Sequence, residues 1–123
     1  KPDWEEASSH FEKAAVSFRV AKALPKAIDA YVKASEAHAN IDSEFMAAKH
    51  LETAALIARD SVKDPAQAAI FFEMASKIHI ETCKVDNAAE ALSKAARAVE
   101  QQDPARGVEL LARACTLFDD VQE

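Results

Sequence analysis

The sequence predicts an all-α protein, a right-handed solenoid of antiparallel helix hairpins, with six helices in three hairpins of about 40 residues. Three observations predict it. The stretch Ala68–Ala75, AAIFFEMA, puts Ala68, Phe72 and Ala75 at positions i, i+4 and i+7, which share one helix face as a small–large–small stripe. The stripe recurs at Ala7/Phe11/Ala14, Ala27/Tyr31/Ala34, Ala47/Leu51/Ala54, Ala88/Leu92/Ala95 and Gly107/Leu111/Ala114, with successive copies 20, 20, 21, 20 and 19 residues apart. Pro25, Pro65 and Pro104 stand 40 and 39 residues apart, each where the second helix of a pair begins. Finally, one glycine, four prolines and a 50 % apolar content rich in alanine favour helix over strand. The hairpins span 2–41, 42–82 and 83–122 of a single repeat domain over 1–123.

The first helix opens at Lys1-Pro2-Asp3-Trp4, with Pro2 suited to the first turn and Asp3, Glu5 and Glu6 matched to the positive end of the helix dipole. Trp4, Phe11, Ala14, Ala15 and Phe18 carry it to about Val20. Ala21–Leu24 is a connection, and the second helix follows from Pro25 to about Ala39 on Ile28, Tyr31, Val32 and Ala34. Asn40-Ile41-Asp42-Ser43 offers a turn and an N-cap for the third helix, Ser43 to about Asp60, with Phe45, Leu51, Ala54 and Ala58. Asp64 caps the fourth helix and Pro65 takes its first position; Ile70, Phe71, Phe72, Met74 and Ile78 make it the most apolar of the six. Thr82–Val85 connects to a fifth helix capped by Asp86 or Asn87 and ending near Glu100. Asp103-Pro104 then repeats the Asp-Pro start, and the sixth helix runs to about Asp120.

The aligned copies assign several chemically suggestive residues to packing. The position after the second alanine reads Ala15, Ser35, Ala55, Ser76, Ala96, Cys115, always small, so Cys115 is expected to be a close-packing residue. Three residues on, the copies read Phe18, His38, Ala58, His79, Val99, Phe118, so His38 and His79 are expected to be packed histidines. His79 and Cys83, one turn apart, offer two zinc ligands where a structural site takes four, and no second close-spaced pair exists; no metal site is expected. Gly107, at a small position of the stripe, implies a close helix approach. A single glycine makes no phosphate-binding loop, and Glu5-Glu6 and Asp119-Asp120 read as helix-end or surface charge, so neither catalysis nor a cofactor is expected.

The net charge of −6 argues against non-specific nucleic-acid binding, although 15 Lys and Arg leave room for local basic patches. No apolar run approaches the roughly 18 residues that span a bilayer. Two cysteines make no disulfide framework, and a reducing cytosol is expected. Lys1 is not a start residue, so the chain reads as a segment of a longer one.

Lys1-Pro2-Asp3-Trp4, then FEKAAVSF at Phe11–Phe18, Ala21-Lys22, Glu36-Ala37-His38, the Asp-Pro helix starts and Asn87-Ala88-Ala89 together resemble the soluble NSF attachment proteins, the SNAP family, and most of all its gamma branch. The resemblance covers essentially the whole chain. It implies a tetratricopeptide-like (TPR-like) hairpin solenoid acting as a cytoplasmic adaptor, not an enzyme. Such an adaptor lies along a four-helix SNARE bundle and recruits the ATPase NSF to take that bundle apart after membrane fusion; it meets membranes peripherally, through its partners. The family binds the acidic bundle with basic residues on one face and its turns. Lys84 matches one such position, and Arg59 and Lys63 lie at another turn where the family is basic, though this chain is longer there. Glu90 departs from the basic residue of the better-known branch. The family's first helix and membrane-touching loop would precede Lys1, and its NSF-engaging bundle would follow Glu123. The chain alone is therefore expected not to stimulate NSF, and to self-associate through apolar surface at its two ends. The alternative is a TPR-like co-chaperone module that grips an acidic carboxyl-terminal peptide with lysine and asparagine, for which only Asn40 and Asn87 are available.

Overall fold

A computed structural model describes residues 3–121. Six α-helices form in the expected order: α1 (Trp4–Val20), α2 (Leu24–Ala39), α3 (Glu44–Ile57), α4 (Pro65–Glu81), α5 (Val85–Val99) and α6 (Pro104–Val121). No strand forms among the described residues. Pro2, expected in the first turn of α1, lies outside them.

The Asp-led starts behave as their chemistry dictates. Asp3, Asp64 and Asp103 accept the backbone N–H groups of Glu6, Gln67 and Arg106 at 3.1, 3.2 and 3.2 Å, each satisfying one donor that a helix start leaves free. Two expected caps are corrected. α5 begins at Val85, with Lys84 as its N-cap, so neither Asp86 nor Asn87 caps it, and Ser43 precedes α3 without a side-chain bond. The reason lies in the preceding turns. The N–H groups of Ser43 and Lys84 donate to the carbonyls of His38 and His79 at 2.9 and 2.7 Å, so the end of one helix delivers the chain directly into the next.

Those turns pass through a residue with positive φ: Lys22 (65°), Asp42 (58°), Lys63 (64°) and Cys83 (61°). With one glycine in the chain, ordinary residues carry this left-handed conformation at a steric cost of roughly 1–2 kcal/mol each. Cys83 is exposed. Cys83→Gly should therefore stabilise the fold by about 0.5–1 kcal/mol, partly offset by glycine's added unfolded-state freedom, and raise the thermal midpoint by a few degrees. An unchanged or lower midpoint in thermal unfolding would count against this account of the turns.

The uneven spacing of the stripe also has a structural basis. Between Ala47 and Ala68, where the spacing is 21, α3 continues past Ile57 as a π-helical turn, Ala58–Val62. A π turn holds one extra residue, so it absorbs the insertion without rotating α4 off the core. Between Ala88 and Gly107, where the spacing is 19, no residue of the connection has positive φ, and the N–H of Asp103 donates to Val99 O at 2.7 Å.

Successive helices pack against each other across short connections, so α1, α3 and α5 run one way and α2, α4 and α6 return. The stripes of the four inner helices are buried throughout, with Tyr31, Leu51, Phe72 and Leu92 interleaved among alanines. Ser35, at a small position, donates its hydroxyl to Ala47 O at 2.8 Å and ties α2 to α3. Gly107 marks a close approach, as expected: a Cβ there would stand 3.2 Å from Glu100 Cβ and 3.3 Å from Glu100 Cα.

The sixth helix corrects one expectation. Gly107, Leu110 and Ala114 are buried against α5, whereas Leu111, at the large position of the stripe, is 41 % exposed. Cys115 and Phe118 are exposed with it. Cys115 is thus not the close-packing residue that its counterpart Ser76 is. An inner helix has a neighbour on each flank and buries a wide stripe; α6 has α5 on one flank, so the other half of its stripe stays open. No helix among the described residues is long and apolar enough to cross a membrane.

Candidate functional site

Because α3 and α5 both run antiparallel to α4, they lie parallel to each other with a groove between them. On α3, Phe45, Lys49 and Glu52 face it; on α5, Asn87, Glu90, Ala91 and Lys94 do, and His79 of α4 forms part of the floor, around about 260 Å³. Farther along the same two faces the lining continues as Arg59 and Lys63, opposite Arg97, Ala98 and Gln101. The three basic residues expected to touch a partner therefore lie at the two ends of one groove. The 17 residues of α4 between them correspond to about 25 Å.

At the first end, Lys84 Nζ stands 5.1 Å from the centroid of the half-exposed Phe45 ring, a cation–π arrangement that positions the ammonium over the groove mouth. At the second end the two residues differ. Arg59 is already paired, its Nε and NH2 donating to both oxygens of its neighbour Asp60 at 2.7 and 3.0 Å. These bonds raise the Arg59 guanidinium above its ordinary range, and the same bonds lower Asp60. Lys63, on its left-handed turn, forms no ion pair among the described residues, nor do Lys84, Lys49, Lys94 and Arg97. The last three are functional candidates that the sequence did not single out. Their signal was present in the helical spacing of Phe45, Lys49 and Glu52 on α3 and of Asn87, Glu90, Lys94 and Arg97 on α5, but that these two faces oppose each other was not legible. Glu90 lines the groove, so the one acidic departure from the family pattern falls inside it.

The two histidines expected to be packed are buried, each bonded to a carboxylate. His79 Nε2 lies 3.1 Å from Glu52 Oε2, and His38 Nε2 lies 2.7 Å from Glu12 Oε2. Glu12 and Glu52 each follow the large residue of a stripe, so the first two hairpins carry the same glutamate–histidine clasp. In the first, His50 of α3 joins, its Nε2 also 2.7 Å from Glu12 Oε2, making a three-residue cluster from three helices. Burial pushes the Glu12 carboxyl up, but hydrogen bonds from His38 and His50, together with their charges, outweigh it and hold the group below its usual range. Among the described residues, Glu12, His38 and His50 are the group of three whose donor atoms converge as metal ligands do. His79 and Cys83 form no such group: Cys83 sits beyond the end of α4, in the turn.

A family model for soluble NSF attachment proteins (SNAP) matches residues 1–123. Over 119 residues the chain is 35 % identical to a gamma-soluble NSF attachment protein of Arabidopsis thaliana, covering 96 % of this chain and 40 % of that protein. It is 31 % identical over 119 residues to the gamma-soluble NSF attachment protein of Dictyostelium discoideum, covering 97 % of this chain and 36 % of that one. The chain thus spans well under half the length of these curated relatives. With the family match extending over the entire hairpin array, the chain belongs to the SNAP family.

Proposed function

We propose that the chain is the SNARE-binding part of an NSF adaptor, and that the groove between α3 and α5 receives the acidic surface of an assembled four-helix SNARE bundle. The observation that carries this reading is the row of cations along the groove that form no ion pair among the described residues: Lys84 at one end, Lys49 and Lys94 between, Arg97 and Lys63 at the other. Long-range attraction between such a row and an acidic rod favours encounter and sets orientation. Arg59 contributes less, because Asp60 already neutralises it. The units of the scaffold are the hairpins 2–41, 42–82 and 83–122. The role is that of an adaptor and not an enzyme, acting in the cytoplasm and reaching membranes through the bundle. NSF is engaged by parts of the protein outside this chain.

The test is capture of assembled SNARE bundles by the chain at low and moderate salt. Binding should weaken as salt rises, and Lys84→Glu and Lys63→Glu should each weaken it about three- to tenfold, as rim charges do. Capture that is indifferent to salt and to both reversals would sink the groove; no capture at low salt would sink the SNARE reading.

One observation favours a second occupant. Asn87 shares the groove with Lys49 and Lys94, the donor types that grip a terminal carboxylate in the co-chaperone alternative. Asn40 is spent elsewhere, its side-chain N–H donating to Glu36 O at 2.9 Å. An acidic peptide that binds only with a free, unamidated carboxyl terminus would select this alternative.

The open stripe on α6 supports self-association of the chain through Leu111 and Phe118. Sedimentation at high concentration should show dimers or larger species that Leu111→Glu removes; a strictly monomeric profile would refute this.

A further inference from the structure

We propose that Glu12, His38 and His50 bind one divalent transition-metal ion of the zinc class, through two imidazole Nε2 atoms and one carboxylate oxygen. The three ligands come from α1, α2 and α3, so the ion would tie the first hairpin to the second. They converge already: both Nε2 atoms lie 2.7 Å from Glu12 Oε2, and the donor atoms all fall within 4.8 Å of one another.

The ring geometry is the strongest part of the case. Two imidazoles bound through Nε2 to one tetrahedral ion, with metal–nitrogen bonds of about 2.0–2.1 Å, place their ring centroids about 5.2 Å apart. The centroids of His38 and His50 are 5.2 Å apart. Ligand atoms on a tetrahedral ion sit about 3.3 Å apart, so donor atoms that now lie within 4.8 Å of one another would adjust to that spacing, the carboxylate most of all. Glu12 can withdraw by that margin, since it is flexible and its side chain is one-third exposed, whereas the two rings are nearly buried.

The chemistry of the donors selects the ion. Two imidazoles and one carboxylate suit zinc and its neighbours, with a fourth position left to water, while calcium and magnesium take sets of oxygen ligands. Both Nε2 atoms hydrogen-bond to the same carboxylate oxygen, and His38 Nδ1 is buried without a hydrogen-bond partner among the described residues. The polar network is therefore incomplete. When Nε2 ligates, the ring N–H is at Nδ1, which finds no acceptor there. Tight zinc sites give that proton a carboxylate or carbonyl, so this site should bind in the micromolar range and no tighter. The clasp of Glu52 and His79 lacks a second histidine and serves as an internal control.

The experiment is titration of the chelator-treated 123-residue chain with zinc by calorimetry and with cobalt(II) by absorption spectroscopy. Cys83→Ser and Cys115→Ser are introduced throughout, because both thiols are exposed and would compete. One ion should bind per chain, with the visible bands of four-coordinate cobalt, and zinc should raise the thermal midpoint. Glu12→Gln and His50→Gln should each weaken binding roughly a hundredfold or more, since even outer-shell changes cost up to that much. His79→Gln should leave binding unchanged. A stoichiometry well below one, a six-coordinate cobalt spectrum, or equal affinity in Glu12→Gln and His50→Gln would overturn the proposal. Should either variant unfold, the nitrogen-15 resonances of the His38 and His50 Nε2 atoms decide in the unsubstituted cluster. They should shift on zinc addition, and resonances that stay in place would overturn the proposal equally.

Discussion

Phe72→Ala is expected to destabilise the protein by about 3–5 kcal/mol, the range for removing a phenyl group from a packed core that cannot collapse around the loss. Phe72 has 0 % exposure in the middle of α4, which packs on α3 and α5 at once, so the void would open between three helices. A small domain has only about 5–15 kcal/mol of total stability, so the variant should lose a large share of it and unfold at much lower urea. Phe45→Ala is the control. It removes the same group from a ring that is 58 % exposed, and should cost less than about 1 kcal/mol. Equal midpoints for the two variants in urea unfolding would mean that the small–large–small stripe does not face the core.

The opposite change at the same stripe should also be costly. Ala75→Leu places a larger side chain where α4 has no exposure and where the small residue lets neighbouring backbones come close. Overpacking of this kind costs about 1–3 kcal/mol and displaces side chains from their preferred rotamers. Helix propensity does not confuse the result, because leucine and alanine are nearly equal as helix formers. Ala66→Leu, at an exposed position of the same helix, should change stability by less than about 0.5 kcal/mol. Backbone amide shifts should spread from position 75 into α3 and α5, and stay local for position 66. A tolerated Ala75→Leu with unmoved neighbours would show that the alanines are not spacers.

The helices, their order and most of their starts were legible because each depends on residues close in sequence. The Asp-Pro pairs, the stripe and its near-constant spacing are local patterns, and they point to the same hairpin array. Even the irregular spacings carried information: the 21-residue interval became a π-helical turn, and the 19-residue interval a connection without a left-handed residue. The start of α5 differs because the backbone turn at Cys83 and Lys84 puts Lys84, a side chain with no acceptor, at the N-cap and leaves Asp86 and Asn87 inside the helix. Cys115 was misread because an aligned position says which face a residue takes, and not whether anything covers that face.

What the sequence by itself determined is the fold and the family, along with which face of each of the four inner helices turns inward. What only the tertiary structure decided is which distant residues meet. Lys49 and Lys94 look like any solvated lysine until α3 and α5 lie side by side. Glu12, His38 and His50 are separated by 26 and 12 residues and sit on three helices. Helical periodicity is set by the backbone within each segment. The convergence of those three side chains depends on how far neighbouring helices are displaced and rotated, which is settled by packing across the whole array.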